Sequence, residues 1–454
     1  MAVSKTALRC PCPKILRRYN LIEFRQAIYD QGFTKGKDAQ FELVDALLVG
    51  QPIRSFPELS LLPVFRRKWH SAYVAIEDGG QDWEWLESYF IRQLPTRGPL
   101  LFSLDGTAWP HPAARTLADL QYVFSPTPAV DGGSIVIGHP YSVLAWVPEC
   151  GSSWAGPISV RRAPSHQSDV EVGIEQVERL CRDRQTEMLE ELHIIIADAK
   201  YGNHRFLGSL RDKPCGALVR MRRDRVLYGT PPPYSGRGRP RVHGDRFAFK
   251  EAETWGKPDA TVELEDERWG KVRLRRWGNR HARQGTDTTF SAILAETHLE
   301  REKPPAPFWL GYQPPPHQAS ADQRLEDLWH WYQYRWPVEP CIRFRKQYLH
   351  WTLPRFQQPE YCDRWTMLVS VAQWQLLLGR ELVMDNPLPW QPPQEKLTPE
   401  RVLQGFGSLF RQISTPASPP QTRGKSPGWP KGRQRSRPER HRVVKKTKKK
   451  PKTA

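Results

Sequence analysis

A mixed α/β sheet flanked by helices is the fold class this sequence predicts, on three observations. Short apolar runs such as Leu100–Leu104 and Leu192–Ala197 have the length and composition of buried strands. Stretches with apolar residues at three- and four-residue steps, the mark of amphipathic helices, lie before, between and after those runs. Strands followed by a helix and then by more strands imply one mixed sheet.

The elements justify this in order. Residues 1–97 read as a helical N-terminal region, with apolar periodicity over Asn20–Asp30, Asp38–Val49, Leu61–Ile76 and Trp83–Ile91. Thr34-Lys-Gly-Lys and Arg66-Arg-Lys-Trp69 add positive charge, so a DNA-reading role is expected there. Residues 98–225 read as the first part of the core. Leu100–Leu104 is a strand ending at Asp105, and Ser134–Gly138 with Tyr141–Val147 a second strand segment. Gly156–Arg161 is a third, Ser168–Arg182 a helix, and Leu192–Ala197 a buried strand ending at Asp198. Asn203–Leu210 is a helix and Gly216–Met221 another strand. Residues 226–320 read as a β-rich insertion, dense in Gly, Pro and Arg at 229–244 and alternating at Thr261–Glu265, Lys271–Arg275 and Phe290–Leu294. Residues 321–385 return to helical pattern and carry the core's second part. Residues 386–415 hold a C-terminal helix opened by Thr398-Pro-Glu-Arg, a cap residue followed by Pro at the first position. Residues 416–454 read as a disordered basic tail, because 421–454 holds 14 Lys and Arg against one acid, Glu439.

Composition bounds the partners. The 454 residues carry 68 Lys and Arg against 49 Asp and Glu, a formal charge of +19, which favours a polyanion. The tail supplies 13 of those charges and suits a salt-sensitive, sequence-independent nucleic-acid clamp or a solubilising appendage. Eighteen Trp and 43 Pro suggest many aromatic anchors and many loops. Seven scattered cysteines make neither a disulfide framework nor a four-ligand zinc set, Cys10-Pro-Cys12 is too tight for a zinc knuckle, and a reducing cytosol fits. The first twenty residues are basic without an apolar core, so no signal peptide is expected. The apolar stretch Trp365–Leu378 is too short and too polar for a bilayer, and no membrane partner is expected.

The chemistry gathers on three acids. Asp105 and Asp198 each end a strand, and Glu339 belongs to Tyr332, Arg335, Glu339 and Lys346, spaced Y-x2-R-x3-E-x6-K. Counted on a helix, that spacing falls on one stripe, a carboxylate flanked by two cations and a phenol. Pro337 and Pro340 interrupt it. Either one helix ends near Trp336 and another starts with Pro337 in its first turn, or a single helix kinks. Carboxylates from adjacent strand ends and one helix can share two divalent cations for phosphodiester chemistry, and oxygen-only ligands favour Mg²⁺ or Mn²⁺.

These residues resemble a known family. Asp105 in SLDGTAW, Asp198 in IIIADAKYG and Glu339 in the four-residue motif look like the catalytic acids of DDE transposases, specifically bacterial insertion-sequence transposases with a Tyr-Arg-Glu-Lys motif. GRGRPRVHGDRF at 236–247, YQYRWPVEPCIRFRKQYL at 332–349 and LTPERVLQGFGSLF at 397–410 extend the resemblance over roughly 98–412. It implies an RNase H-like core with an insertion between the second and third acids. Asp105, Asp198 and Glu339 would bind Mg²⁺, with Mn²⁺ substituting, while Tyr332, Arg335 and Lys346 would contact transposon-end DNA. The implied activity is binding of the element's terminal inverted repeats, strand cleavage and strand transfer into target DNA by a homodimer assembled on DNA. The implied place is the bacterial cytoplasm, at the nucleoid. A non-catalytic nucleic-acid-binding derivative and an RNase H-like nuclease are the alternatives.

Further cations point to DNA. Arg237 and Arg239 flank Gly238 before a proline, a pattern that suits either a minor-groove hook or a general phosphate-binding loop. Arg220 and Arg222, two apart on a strand, share a face and could line a phosphate track, or else charge a solvated edge. Trp255, Trp269 and Trp277 lie in the insertion and could stack a flipped base, although packing is the commoner role.

Overall fold

The structure, a computed structural model, describes residues 13–49, 52–125, 134–236, 238–298, 306–318, 323–421, 432 and 437–445. Its helices are α1 Pro13–Ala27, α2 Lys37–Leu48, α3 Trp69–Glu77, α4 Trp83–Arg92, α5 Asp169–Asp183, α6 Gln185–Glu190, α7 His204–Ser209, α8 Leu325–Tyr332, α9 Val338–Gln347, α10 Pro359–Gly379 and α11 Pro399–Ile413. Its strands are β1 Phe33–Lys35, β2 Gly80–Gln81, β3 Leu100–Pro110, β4 Gln121–Phe124, β5 Ile135–Trp146, β6 Gly156–Arg162, β7 His193–Ala197, β8 Gly216–Met221, β9 Val226–Tyr228, β10 Arg246–Ala248, β11 Ala260–Asp266, β12 Gly270–Ala282, β13 Gly285–His298 and β14 Phe308–Gln313. β1 and β2 form a two-stranded sheet, and β3–β14 form a large mixed sheet that with the helices gives an α/β architecture consistent with an RNase H-like fold. The chain divides into two compact units. A helical unit takes Met1–Tyr89, Trp109–Gly138 and Cys341–Lys449; a sheet unit takes Phe90–Ala108, His139–Pro340 and Lys450–Ala454.

In the helical unit α1, α2, α3 and α11 pack against α10. Helix α10 is buried almost all round, Trp365, Leu368, Val369, Val371 and Ala372 being fully enclosed, as a central helix must be. Arg25 of α1 reaches Asp45 of α2 (2.8 Å), the Gln375 amide of α10 and the Ser414 carbonyl after α11 (2.8 Å). Its guanidinium lies over the rings of Phe41 and Phe410. Arg345 is likewise enclosed, donating to Gln373 and Ser370 (each 3.0 Å), and burial holds it down at about 10.

Two sequence expectations change in this unit. Residues 62–68 are not helical. A 3-10 turn covers Phe56–Leu61, and Leu62 before Pro63 takes the extended conformation that a following proline imposes. Helix α1 starts earlier than Asn20 and gives way at Ala27 to a π-turn over Ile28–Gly32. Most of the basic tail lies outside the described residues, as do Cys10 and Cys12. Of its described part, the His441 and Val444 N–H groups donate to the Arg115 and Leu120 carbonyls (2.9 and 2.7 Å).

In the sheet unit β7 is buried at every position and pairs in parallel with β3 on one side and β8 on the other. The strand order runs β10-β9-β12-β13-β14-β8-β7-β3-β5, with β11 on β12 and β6 on β5. The insertion strands therefore extend the central sheet, joined through the antiparallel pair β14 and β8. Alternation places Ile194, Ile196, Val272, Leu274, Ile293, Phe308 and Leu310 in one core cluster. Helix α8 covers that cluster with Leu325, Leu328, Trp329 and Tyr332, spaced i, i+3, i+4, i+7.

The helical unit generates a stability prediction. Burial pushes the Asp45 carboxyl above its ordinary range, against the opposing pull of Arg25. Asp45→Ala removes the partner of an enclosed guanidinium and should cost about 3–5 kcal/mol by urea denaturation. A loss under about 1 kcal/mol would mean the pair does not organise this core.

Candidate active site

Strand β3 delivers the first acid. Asp105 sits inside the strand, not at its end as expected: β7 stops at Ala197, opposite Leu104, while β3 continues to Pro110 beside β5. Asp105 thus projects where the sheet has lost one neighbour. The Gly106 N–H donates to its Oδ1 (2.7 Å). Burial, then the charge of Asp198, raises its carboxyl to about 6, with Glu339 adding a smaller push; Gly106 and Arg335 oppose them.

Asp198 follows β7 and occupies the position after the Leu104–Ala197 pair, so the two aspartates leave adjacent parallel strands at the same level. Its turn is closed by the Lys200 N–H on Asp198 Oδ1 (3.0 Å) and the Tyr201 N–H on the Asp198 carbonyl (3.1 Å). The Tyr-Gly that ends the motif has a physical reason. Tyr201 is fully buried, its hydroxyl 3.3 Å from Ser142 and its ring against Phe206. A Cβ on Gly202 would lie 2.2 Å from the Arg220 carbonyl of β8, so only glycine fits. Lys200 pairs with Asp169 at the start of α5, and Arg205 with Glu171 of the same helix.

Glu339 is the second residue of α9. The segment divides, as in the first alternative, but the α-helix ends at Tyr332 rather than near Trp336 and Pro337 precedes the next helix rather than lying in its first turn. Helix α8 ends at Tyr332, a 3-10 turn spans Gln333–Arg335, and α9 starts at Val338. Proline lacks the N–H that would carry one helix through. Tyr332, Arg335 and Glu339 thus do not form one helical stripe. Arg335 still donates to Glu339 Oε1 (2.8 Å), and the Ser103 hydroxyl of β3 donates to the Arg335 carbonyl (3.4 Å). Tyr332 is buried on Phe308 and faces the charges of Arg335, Arg220 and Asp198.

The sheet unit therefore brings Asp105, Asp198, Glu339, Arg335, Tyr332 and Arg220 into one electrostatic neighbourhood. Asp105 is destabilised by burial and then by the other two acids, and carboxylate oxygens are donors of the kind that a divalent cation takes. Lys346 lies about two turns along α9, in the helical unit, where burial lowers its ammonium to about 8.

Beside Ala199 a cleft of about 630 Å³ is lined by Arg220, Arg222, Arg223, Lys250, Phe308 and Trp309, among others. The expected shared strand face is corrected: β8 ends at Met221, and Arg222 belongs to the following turn, paired with Asp224 (3.1 Å). Arg220 stacks over Phe308 (5.1 Å). Arg239 is exposed in the loop between β9 and β10, and Arg237 lies outside the described residues. Trp277 is fully buried, and Trp255 packs on it and on Trp309. Trp269 sits edge-on to Trp329. Sequence reasoning passed over Trp336, which is 44% exposed between Arg335 and Glu339 under the guanidinium of Arg268 (4.3 Å). Its place inside the four-residue motif was the available signal.

The raised Asp105 carboxyl gives a pH prediction. Between the ordinary value of 3.8 and about 6, folded protein keeps a proton that the unfolded chain has released. Stability should therefore fall as pH rises through that window and level off above it. In EDTA, Asp105→Asn should melt higher than wild type at pH 7.5, with the gap closing toward pH 4. Equal melting at pH 7.5 would contradict the repulsion described.

The model of a family described as DDE superfamily endonuclease matches residues 29–282, more than half of the chain. The matched span includes Asp105 and Asp198 and ends before Glu339. A comparison with curated proteins returned no match. With two aspartates leaving adjacent parallel strands at one level, and that match across them, the chain belongs to the DDE superfamily endonucleases.

Proposed function

We propose that the protein is a DNA transposase that binds the terminal inverted repeats of its own insertion sequence, cuts the strands and transfers them to target DNA. The observation that carries this is the shared electrostatic environment of Asp105, Asp198 and Glu339 on three separate elements. The three carboxylates would hold Mg²⁺, or Mn²⁺ in its place. Bound in a pair, such ions activate an attacking oxygen and stabilise a leaving one.

The protein's own groups have definable tasks around that set. Arg335 fixes the Glu339 carboxylate and limits repulsion among the acids. The Lys200 N–H holds the Asp198 carboxylate in its turn. Arg220, Arg222, Arg223 and Lys250 give the cleft beside Ala199 the charge to follow a phosphate backbone. Arg237, Arg239, Tyr332 and Lys346 are further DNA contacts in this reading. Trp336, exposed and next to the third acid, suits stacking on a base better than the packed insertion tryptophans. A homodimer on DNA and a bacterial, nucleoid-associated location complete the proposal. Among the described residues no helix is long and apolar enough to cross a membrane.

The family's description by itself supports the plainer reading of an endonuclease without strand transfer. Products joined to a target plasmid distinguish the two.

Purified protein should cleave DNA bearing the repeats that border its gene only when Mg²⁺ or Mn²⁺ is added, and Asp198→Ala should abolish the cut. Retained cleavage in that variant removes the mechanism. Arg222→Ala should leave the cut in place but weaken duplex binding, lowering the slope of log K against log salt by about 0.9. An unchanged slope takes Arg222 off the DNA path.

A further inference from the structure

The tip of the insertion hairpin β11–β12 is tied to the segment that leads into Glu339. Asp266 ends β11, and Gly270, at φ +67°, opens β12. The Asp266 carboxylate accepts four hydrogen bonds. Its Oδ1 takes the backbone N–H groups of Arg268 and Trp269 (each 2.9 Å), which closes the hairpin turn. Its Oδ2 takes Trp329 Nε1 of α8 (2.8 Å) and Gln333 Nε2 of the 3-10 turn (2.7 Å). Burial pushes this carboxyl up, but the hydrogen bonds together hold it below its ordinary value. The neighbours reinforce the link: Trp269 packs edge-on to Trp329, and Arg268 lies over Trp336.

The link continues to the third acid. Gln333, held by Asp266, accepts the Trp336 N–H at its carbonyl (3.1 Å), and Trp336 accepts the Glu339 N–H (3.1 Å). The segment needs such an anchor. Pro337 ends helical continuity between α8 and α9, so α8 cannot by itself set the angle at which Glu339 leaves the chain.

We propose that Asp266 is a positioning residue that fixes the 333–339 segment from the hairpin tip and so sets the place of the Glu339 carboxylate. This rests on the reading of Glu339 as the third acid. The hairpin of the insertion thereby becomes a structural part of the catalytic centre, acting through Gln333 and Trp336 without touching the reacting atoms.

The test uses the full chain in five forms: wild type, Asp266→Asn, Gln333→Met, the double variant carrying both, and Glu339→Ala. Three quantities are measured: kcat for Mn²⁺-dependent strand cleavage, duplex affinity by fluorescence anisotropy without metal, and Mn²⁺ affinity by electron paramagnetic resonance of the free ion. Asp266→Asn and Gln333→Met should each lower kcat about 10- to 100-fold and weaken Mn²⁺ binding, as loss of a group that orients a metal ligand does. Duplex affinity should stay within about threefold, since a displaced acid acts on the chemical step rather than on uniform binding. The double variant should lose little more than the worse single one, because both break the same link. Wild-type kcat and Mn²⁺ affinity in a folded single variant would overturn the proposal. So would a loss of duplex affinity equal to the loss of kcat, which is the mark of general damage. If Asp266→Asn does not fold, Gln333→Met decides alone. Cleavage by Glu339→Ala would instead sink the underlying assignment of the third acid.

Discussion

Two carboxylates held side by side on adjacent parallel strands repel each other, and the fold has to contain that repulsion. Leu104 and Ala197 are paired in register, so Asp105 and Asp198 emerge together. A strand pair cannot rotate one of them away without breaking its ladder. The chain meets the cost with opposite charge and hydrogen bonds: Arg335 beside Glu339, the Gly106 N–H on Asp105 and the Lys200 N–H on Asp198. Burial, and then the charge of Asp198, still leave the carboxyl of Asp105 raised to about 6.

The rest of the sheet unit serves that arrangement. Isoleucines at 194–196 make β7 a strand buried on both faces, which suits its central, parallel position. The insertion strands β9–β14 continue the same sheet, so the surface beneath α8 is assembled from core and insertion together. Tyr332 at the end of α8 rests on Phe308 of β14, the last strand of the insertion. Glu339 thus follows a segment held by residues from 266, 308 and 325–336, which are far apart in the sequence.

Much of this was legible in the residues. Apolar runs marked β7 and β8, the helical pattern that resumes at 321 marked the region of α8, and Thr398-Pro marked the start of α11, whose cap hydroxyl accepts the Arg401 N–H. The Y-x2-R-x3-E spacing was readable, and its geometry was not. The spacing suggested one stripe, whereas the prolines divide it, and Arg335 at the end of a 3-10 turn meets Glu339 at the start of α9. Periodicity also missed that β3 runs on past Asp105, because Gly106, Thr107 and Ala108 carry no strand signal of their own and are held by β5. β14 went unread because its six buried residues resemble any short apolar run until β8 and β13 are placed beside it. Asp266 was illegible for a similar reason: an aspartate in a hairpin turn is an ordinary turn residue until Trp329 and Gln333 arrive from more than sixty positions away.

The two units treat buried charge differently, and the difference locates function. Arg25 in the helical unit is paired with Asp45 and covered by aromatic faces, so its charge is answered within the folded chain. Asp105 sits among groups of its own sign, with less answering charge than it needs. Local consistency that holds through a core and fails at one cluster is the pattern expected where binding of something else completes the balance. Here the unanswered charge is negative and borne by oxygen, and the neighbouring cleft is lined by Arg220, Arg222, Arg223 and Lys250. A hard cation and a phosphate chain are the complementary pair that would satisfy both at once.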